Sequence, residues 1–193
     1  MAGIKQPITD ILSKLATIQV TNADNQTVSL YSRIWNNQIE YIEKGSDYVW
    51  PRPAAFVEVA NSVNYKIIGL GFRSADLGIT IHLVHDFFNS DGTFEQDLDI
   101  FDLRDQVVAA LSQYSPTACS PLNCINEDQD YSHDNLYHYV LEFVCNSIDS
   151  KGSAYDPSAG NYDDTPNINM DQQTAIGGIP TPTVNSNPEY IIP

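Results

Sequence analysis

Between Leu77 and Leu111 the hydrophobic pattern changes period once. Leu77, Ile79, Ile81 and Leu83 alternate with Gly78, Thr80, His82 and Val84, the period of two that marks a half-buried strand. After a polar turn at Asn89–Gly92 the period becomes helical. Ile100, Leu103, Val107 and Leu111 fall on one face with Phe101 and Val108 beside it, while Asp102, Asp105 and Gln106 point away. Asp99 is placed to cap this helix, and early acids suit the positive end of its dipole. A strand feeding a helix that packs back on a sheet is therefore the centre of the predicted fold.

The remaining elements follow from the same reading. Pro7 opens a first helix, with Ile8, Ile11, Leu12, Leu15 and Ile18 as its apolar stripe. A polar turn spans Thr21–Gln26, and Val28, Leu30, Ser32 and Ile34 then alternate as one strand. Trp35–Gln38 breaks it, and a short strand is expected over Gln38–Glu43. Tyr48–Pro53 is extended, because a residue before proline avoids the helical region. Ala54–Ala60 is a strand whose Glu58 reads as an exposed-face carboxylate. Gly69 and Gly71 weaken any regular assignment over Tyr65–Phe72. Pro116 stops the second helix, Thr117–Asp134 is a long polar stretch, and Leu136–Cys145 is a final strand. On that strand Tyr137, Tyr139, Leu141, Phe143 and Cys145 share one face, and His138, Val140, Glu142 and Val144 the other. The expected class is α+β: one small domain over residues 1–147, with a mostly antiparallel sheet of about four strands flanked by two helices.

From Ile148 the composition shifts to Gly, Pro, Asn, Asp, Ser and Thr without a sustained period. Alone, such a segment reads as disordered, since it cannot bury enough apolar surface against itself. As an extended C-terminal arm over residues 148–193 it would be pinned on a partner or on neighbouring copies of the chain. Ile176, Ile179, Tyr190, Ile191 and Ile192 are its candidate anchors.

Charge narrows the function classes. The 193 residues carry a formal net charge of −16 with nine Lys and Arg in all. Gripping a nucleic-acid backbone needs clustered cations, so direct phosphate binding is disfavoured. Three cysteines without framework spacing suit a reducing compartment. No apolar h-region follows Met1, and no apolar run approaches the ~20 residues of a membrane span. The expectation is a soluble protein made in a cytosol.

His82 and His85 resemble a metal pair, but residues three apart on a strand face opposite sides. Cys119 and Cys124 with His133 and His138 match no usual zinc spacing. If Gly92 were the sixth position of a calcium loop, Phe87 and Leu98 would occupy positions that need carboxylates, so Asn89–Gly92 is a turn. Gly69 and Gly71 lack the third glycine of a dinucleotide site, and there is no Walker sequence and no Gly-x-Ser-x-Gly elbow. Glu127–Asp130 reads as a solvated acidic loop. Trp35, Trp50 and the Tyr-rich strand could stack bases or sugars, but without neighbouring cations they read as core. No catalytic, cofactor-binding or metal-binding residue is assigned.

Three segments together carry a resemblance. Trp35–Gln38 follows a first strand, Pro51–Glu58 opens the next, and Ala75–Val84 is followed by an acidic loop and the helix Leu98–Leu111. This order of helix, strand, Pro-led strand, strand, helix and final strand resembles phage tail terminator and neck proteins over roughly residues 4–147. The Thr117–Asp134 stretch departs from the shortest members. The resemblance implies a structural virion protein, not an enzyme, without cofactor or metal. Its copies would form a homo-oligomeric ring, a hexamer, at the head–tail junction, capping the tail tube and docking to head connector or portal-side proteins. DNA would pass through the lumen without specific binding, since an acidic wall repels it, and closed symmetry would turn one heterologous contact into a finished collar. No membrane is involved.

Three rivals stand beside it. A head-completion or connector ring of the portal vertex would look the same in sequence, with twelve-fold rather than six-fold symmetry. A metal-dependent hydrolase would use His82, His85, Asp86 or the Glu127–Asp130 carboxylates, which lack a shared face. A ligand-binding module would use Trp35, Trp50 and the tyrosine face.

Overall fold

The computed structural model describes residues 3–22, 26–43, 50–59, 63–69, 71–86, 94–130, 132 and 136–151. The anchors Ile176, Ile179, Tyr190, Ile191 and Ile192, the Asn89–Gly92 turn and His133 lie outside the described residues. The class is α+β, as the periodicity implies.

The chain opens with α1 (Lys5–Leu15), which buries Pro7, Ile8, Ile11 and Leu15. Pro7 sits at its third position rather than at its start, still within the turn whose N–H groups need no partner. Ile18 lies beyond the helix, yet is buried in the same core, where its carbonyl accepts the Leu30 N–H at 2.9 Å. That bond divides the single strand expected over 28–34. β1 (Gln19–Thr21) pairs antiparallel with β2 (Thr27–Ser29), while β3 (Tyr31–Ile34) runs parallel to β4 (Ala54–Val59).

The strand expected over Gln38–Glu43 is instead a short helix, α2. Local polar bonds turn the chain. Asn37 takes a left-handed φ of 54°, the Gln38 side chain accepts the Asn36 N–H at 2.7 Å, and its amide donates to the Ile34 carbonyl at 2.6 Å. Side chains that bond the nearby backbone compete with strand pairing. Ile39, 1% exposed, then anchors the turn.

The six-stranded sheet has the order β3-β4-β6-β8-β7, where β6 is Phe72–Asp86, β7 Asn123–Asp130 and β8 Leu136–Asp149, with β5 (Lys66–Gly69) also paired to β6. Every pair except β3–β4 is antiparallel. The Tyr65–Phe72 region is thus the tip of a hairpin, and Gly69 and Gly71 hold positive φ of 125° and 80° there. α3 begins at Phe94 and ends at Leu111, so Asp99 lies inside the helix rather than capping it. β8 (Leu136–Asp149) continues past Cys145, and its pairing with β6 holds one register from Arg73–Asp149 to Asp86–Leu136.

The largest departure from expectation is β7 (Asn123–Asp130), which forms within the long polar stretch Thr117–Asp134, where no strand was expected and Glu127–Asp130 read as a solvated loop. Its side chains are mostly exposed on both faces, so no hydrophobic alternation announces it. Its backbone pairs with β8, and α3 clamps it through Arg104, whose guanidinium donates to both Glu127 oxygens at 2.7 and 2.8 Å. The sheet therefore has two strands more than expected, and the described residues hold a third helix.

Both faces of the sheet are covered at its centre. On one face α1 and α3 bury Ile79, Ile81, Leu83, Leu141 and Phe143 against Ile11, Leu103, Val107 and Leu111. On the other a smaller cluster joins Ile39, Trp50, Ala54, Phe56, Val84 and Leu136, with Tyr31 and Trp35 at its edge. β6 is thus buried on both sides over His82–His85, not half-buried throughout. Among the described residues no helix is long and apolar enough to cross a membrane.

Candidate functional site

The sheet register brings four ionisable side chains into line on the face opposite α1 and α3. Glu58 on β4 lies beside His82 on β6, His82 beside His138 on β8, and His138 beside Asp130 on β7. The contacts are hydrogen bonds in series: Glu58 Oε2 to His82 Nε2 at 2.9 Å, His82 Nδ1 to His138 Nε2 at 2.9 Å, and His138 Nδ1 to Asp130 Oδ2 at 3.1 Å. Both imidazoles are buried, at 7% and 6% exposure, while the carboxylates at the ends are only partly covered. Glu58, with its side chain 32% exposed, is thus partly solvated, as its alternating neighbours suggest, and at the same time the terminus of a buried hydrogen-bonded chain.

Trp35 roofs this line. Its ring stacks on His82 with centroids 3.9 Å apart and planes 9° from parallel, and reaches His138 at 5.8 Å. Phe56 closes the side, 5.9 Å from Trp35 and 5.4 Å from Trp50. The tryptophans are packing residues here, in keeping with the core reading of the sequence.

Electrostatics differ along the line. Burial pushes the His82 pKa below its ordinary value, against the opposing pull of the Glu58 hydrogen bond and of the Glu58 and Asp130 charges. Asp130 is held well below the usual carboxylate range, first by the Ser132 hydroxyl and then, against burial, by the Ser132 N–H and by His138.

The other candidate groups are scattered. His85 projects from the opposite face of β6, as strand geometry requires, and lines a cleft of about 160 Å³ with Pro53, Asp99, Asp102, Leu103 and Gln106. Organic-ligand sites occupy roughly 300–1,000 Å³, so this cleft is too small for one. Asp86 pairs with Arg52 at 2.6 Å, and Glu127 with Arg104. A broader hollow of about 470 Å³ is lined by Val28, Leu30, Tyr31, Arg33 and Pro51 among others, with neither tryptophan in its wall. Cys119 lies by Cys145 and Ser147, whereas His138 projects from the other face of β8, so the hypothetical zinc set does not converge. Among the described residues no group of three or more His, Cys, Asp or Glu side chains surrounds a common metal centre.

Sequence reasoning missed the Glu58–His82–His138–Asp130 line although it held part of the signal. Alternation put His82 and His138 each on a defined face of its strand. What it lacked was the register that sets His82 across from Phe56 and Val140, and the existence of β7. No family model matches the sequence, and no curated protein sequence matches it.

Proposed function

We propose that the chain is a structural subunit of a ring at the head–tail junction of a tailed bacteriophage, where it caps the tail tube and docks to the head connector. The observation that carries this reading is the state of the sheet edges. Among the described residues β3, β5 and β7 each pair on one side only, and each carries an exposed isoleucine: Ile34 at 48%, Ile67 at 85% with Ile68 at 57%, and Ile125 at 62% exposure. Charge guards each of these edges against free strand addition, Arg33 on β3, Lys66 on β5 and Glu127, Asp128 and Asp130 on β7, which is also irregular at Ile125, so the exposed isoleucines and not the open ladders are what a specific partner would cover. Apolar side chains on opposite edges suit a head-to-tail contact that repeats and closes into a collar. The element order behind the phage resemblance assembles into one sheet, and the net charge of −16 suits a lumen that must not hold DNA. The role is mechanical and needs no catalytic group.

Native mass spectrometry of the full chain tests this. A closed six-membered ring is expected. Ile67→Asp or Ile125→Asp should shift it toward monomers by at least about tenfold, since covering one isoleucine contributes roughly 1.5–3 kcal/mol. A monomer at high concentration, unchanged by either substitution, would sink the reading. Twelve copies would favour a connector ring of the portal vertex, which rests on the same edges. The arm's share in assembly is tested by removing residues 152–193. A cut at 148 would also delete Asp149, whose carboxylate accepts the Arg73 guanidinium at 2.7 Å.

A further inference from the structure

Glu58, His82, His138 and Asp130 come one each from four adjacent strands, so their hydrogen bonds run across the strands, from β4 through β6 and β8 to β7. The chemistry of the groups sets the number of protons this line can hold. Ionised carboxylates only accept, so the nitrogens facing them, His82 Nε2 and His138 Nδ1, must carry protons. Two neutral imidazoles then have none left. His82 Nδ1 and His138 Nε2 would meet lone pair to lone pair at 2.9 Å, a separation that is attractive only with a proton between them. Placing a proton on a carboxyl instead leaves the sum unchanged: three bonds, three protons, net charge −1.

We propose that these four side chains form one three-proton chain, holding one proton more than two neutral imidazoles carry, and that this shared proton fastens edge strand β7 and the Trp35 segment to the sheet within a bounded pH window. The inference stands independently of the ring reading.

Both limits of the window follow from the geometry. Loss of the shared proton forces one ring to turn and give up Glu58 or Asp130. Asp130 lies on β7, whose ladder among the described residues has β8 alone as its partner, so the opening falls there. A fourth proton sets N–H against N–H at the centre, and the burial of His82 opposes it as well. The charged surroundings favour keeping one cation. On the same sheet face the register places Glu142 across from Thr80, Asp128 across from Val140 and Arg33 across from Phe56. α2 contributes Glu40, bonded to Asn37, and the segment before β4 contributes Arg52, paired with Asp86. His85 projects from the other face. Coupled sites release protons in steps that belong to the pair. Through the upper step the folded chain binds more protons than the unfolded one, so stability falls as pH rises. Through the lower step it binds fewer, so stability falls as pH drops.

The test is imidazole ¹⁵N NMR on the full chain from pH 4 to 10, with His85→Gln, His82→Gln and His138→Gln for assignment. Trp35 emission is followed in parallel in a Trp50→Phe chain, because a stacked imidazolium quenches indole. The expected result is two steps common to His82 and His138, separated by more than about two pH units and bracketing the free-imidazole value of about 6.5. Trp35 emission should move in the same two steps, and Asp130→Asn should lower the upper one. Both rings titrating together in a single step near that value, or Trp35 emission that ignores both steps, would overturn the proposal. Should the glutamine variants fail to fold, the unmodified histidines and the Trp50→Phe emission still decide it.

Discussion

Phe143 offers the sharpest test of how the two covered faces depend on one another. It is 1% exposed, at the middle of β8, and packs in the core beneath α1 and α3. Phe143→Ala removes a ring from a site that cannot collapse easily, because β6 and β7 flank it through their ladders. Lost transfer energy and the residual cavity together cost about 3–5 kcal/mol in such positions. Against the ~5–15 kcal/mol that holds a domain folded, that is a large fraction. For a chain of this size it should lower the melting temperature by roughly 6–20 °C. The assay is urea denaturation read by far-ultraviolet circular dichroism and by tryptophan fluorescence. Both tryptophans sit on the opposite face of the sheet, with Trp50 buried beside Phe56. A cooperative sheet transmits the loss, so the two signals should shift together. Phe101→Ala is the control: that ring is 42% exposed on α3 and meets Tyr139 edge-on at 6.2 Å, so about 1 kcal/mol or less is expected. A fluorescence midpoint that stays in place while the dichroism midpoint moves would refute a single cooperative sheet, and a cost below about 1 kcal/mol would refute the burial argument.

Two further outcomes follow from the titratable groups. Asp149 is driven up by burial, but the Lys151 N–H and the Arg73 guanidinium outweigh this and hold it below the ordinary carboxylate value; Asp130 is likewise lowered. Carboxylates lowered on folding contribute stability that is present above their unfolded value and lost as pH falls through the folded one. Asp149→Asn should therefore flatten the fall in urea midpoint between pH 5 and 2, and an unchanged acid limb would contradict the ion pair. Cys119 has its thiol lowered to about 7 by the Cys145 hydrogen bond, against burial, whereas Cys145 is pushed up by that same contact and is buried. Brief alkylation at pH 7.5, read by peptide mass spectrometry, should label Cys119 before Cys124 or Cys145. Prior labelling of Cys145 would show that the strand pair opens.

How much of this was legible in the sequence depends on the range of the interaction concerned. The alternation of Leu77, Ile79, Ile81 and Leu83 and the stripe Ile100, Leu103, Val107 and Leu111 survive unchanged in the core, because side-chain direction along a regular backbone is set by covalent geometry. The tyrosine face of β8 and the opposed directions of His82 and His85 were legible for the same reason. α2 was not, since six residues are too few to show a period and side-chain bonds to Asn36 and Ile34 decide the turn. β7 was not, because an edge strand exposed on both faces needs only backbone partners, and every non-proline residue can supply those.

The chain by itself therefore determined the α+β class, the two long strands, the long helix and the direction of each side chain along them. Tertiary structure alone decided which strands are neighbours and in what register. Glu58 and His82 are 24 residues apart, and His82 and His138 are 56 apart. Their meeting is fixed by the ladders between β4, β6 and β8, whose alignment depends on how both faces of the sheet pack at once. Local periodicity carries no information about that alignment, because slipping a strand by two residues leaves its pattern intact while moving every partner across from it.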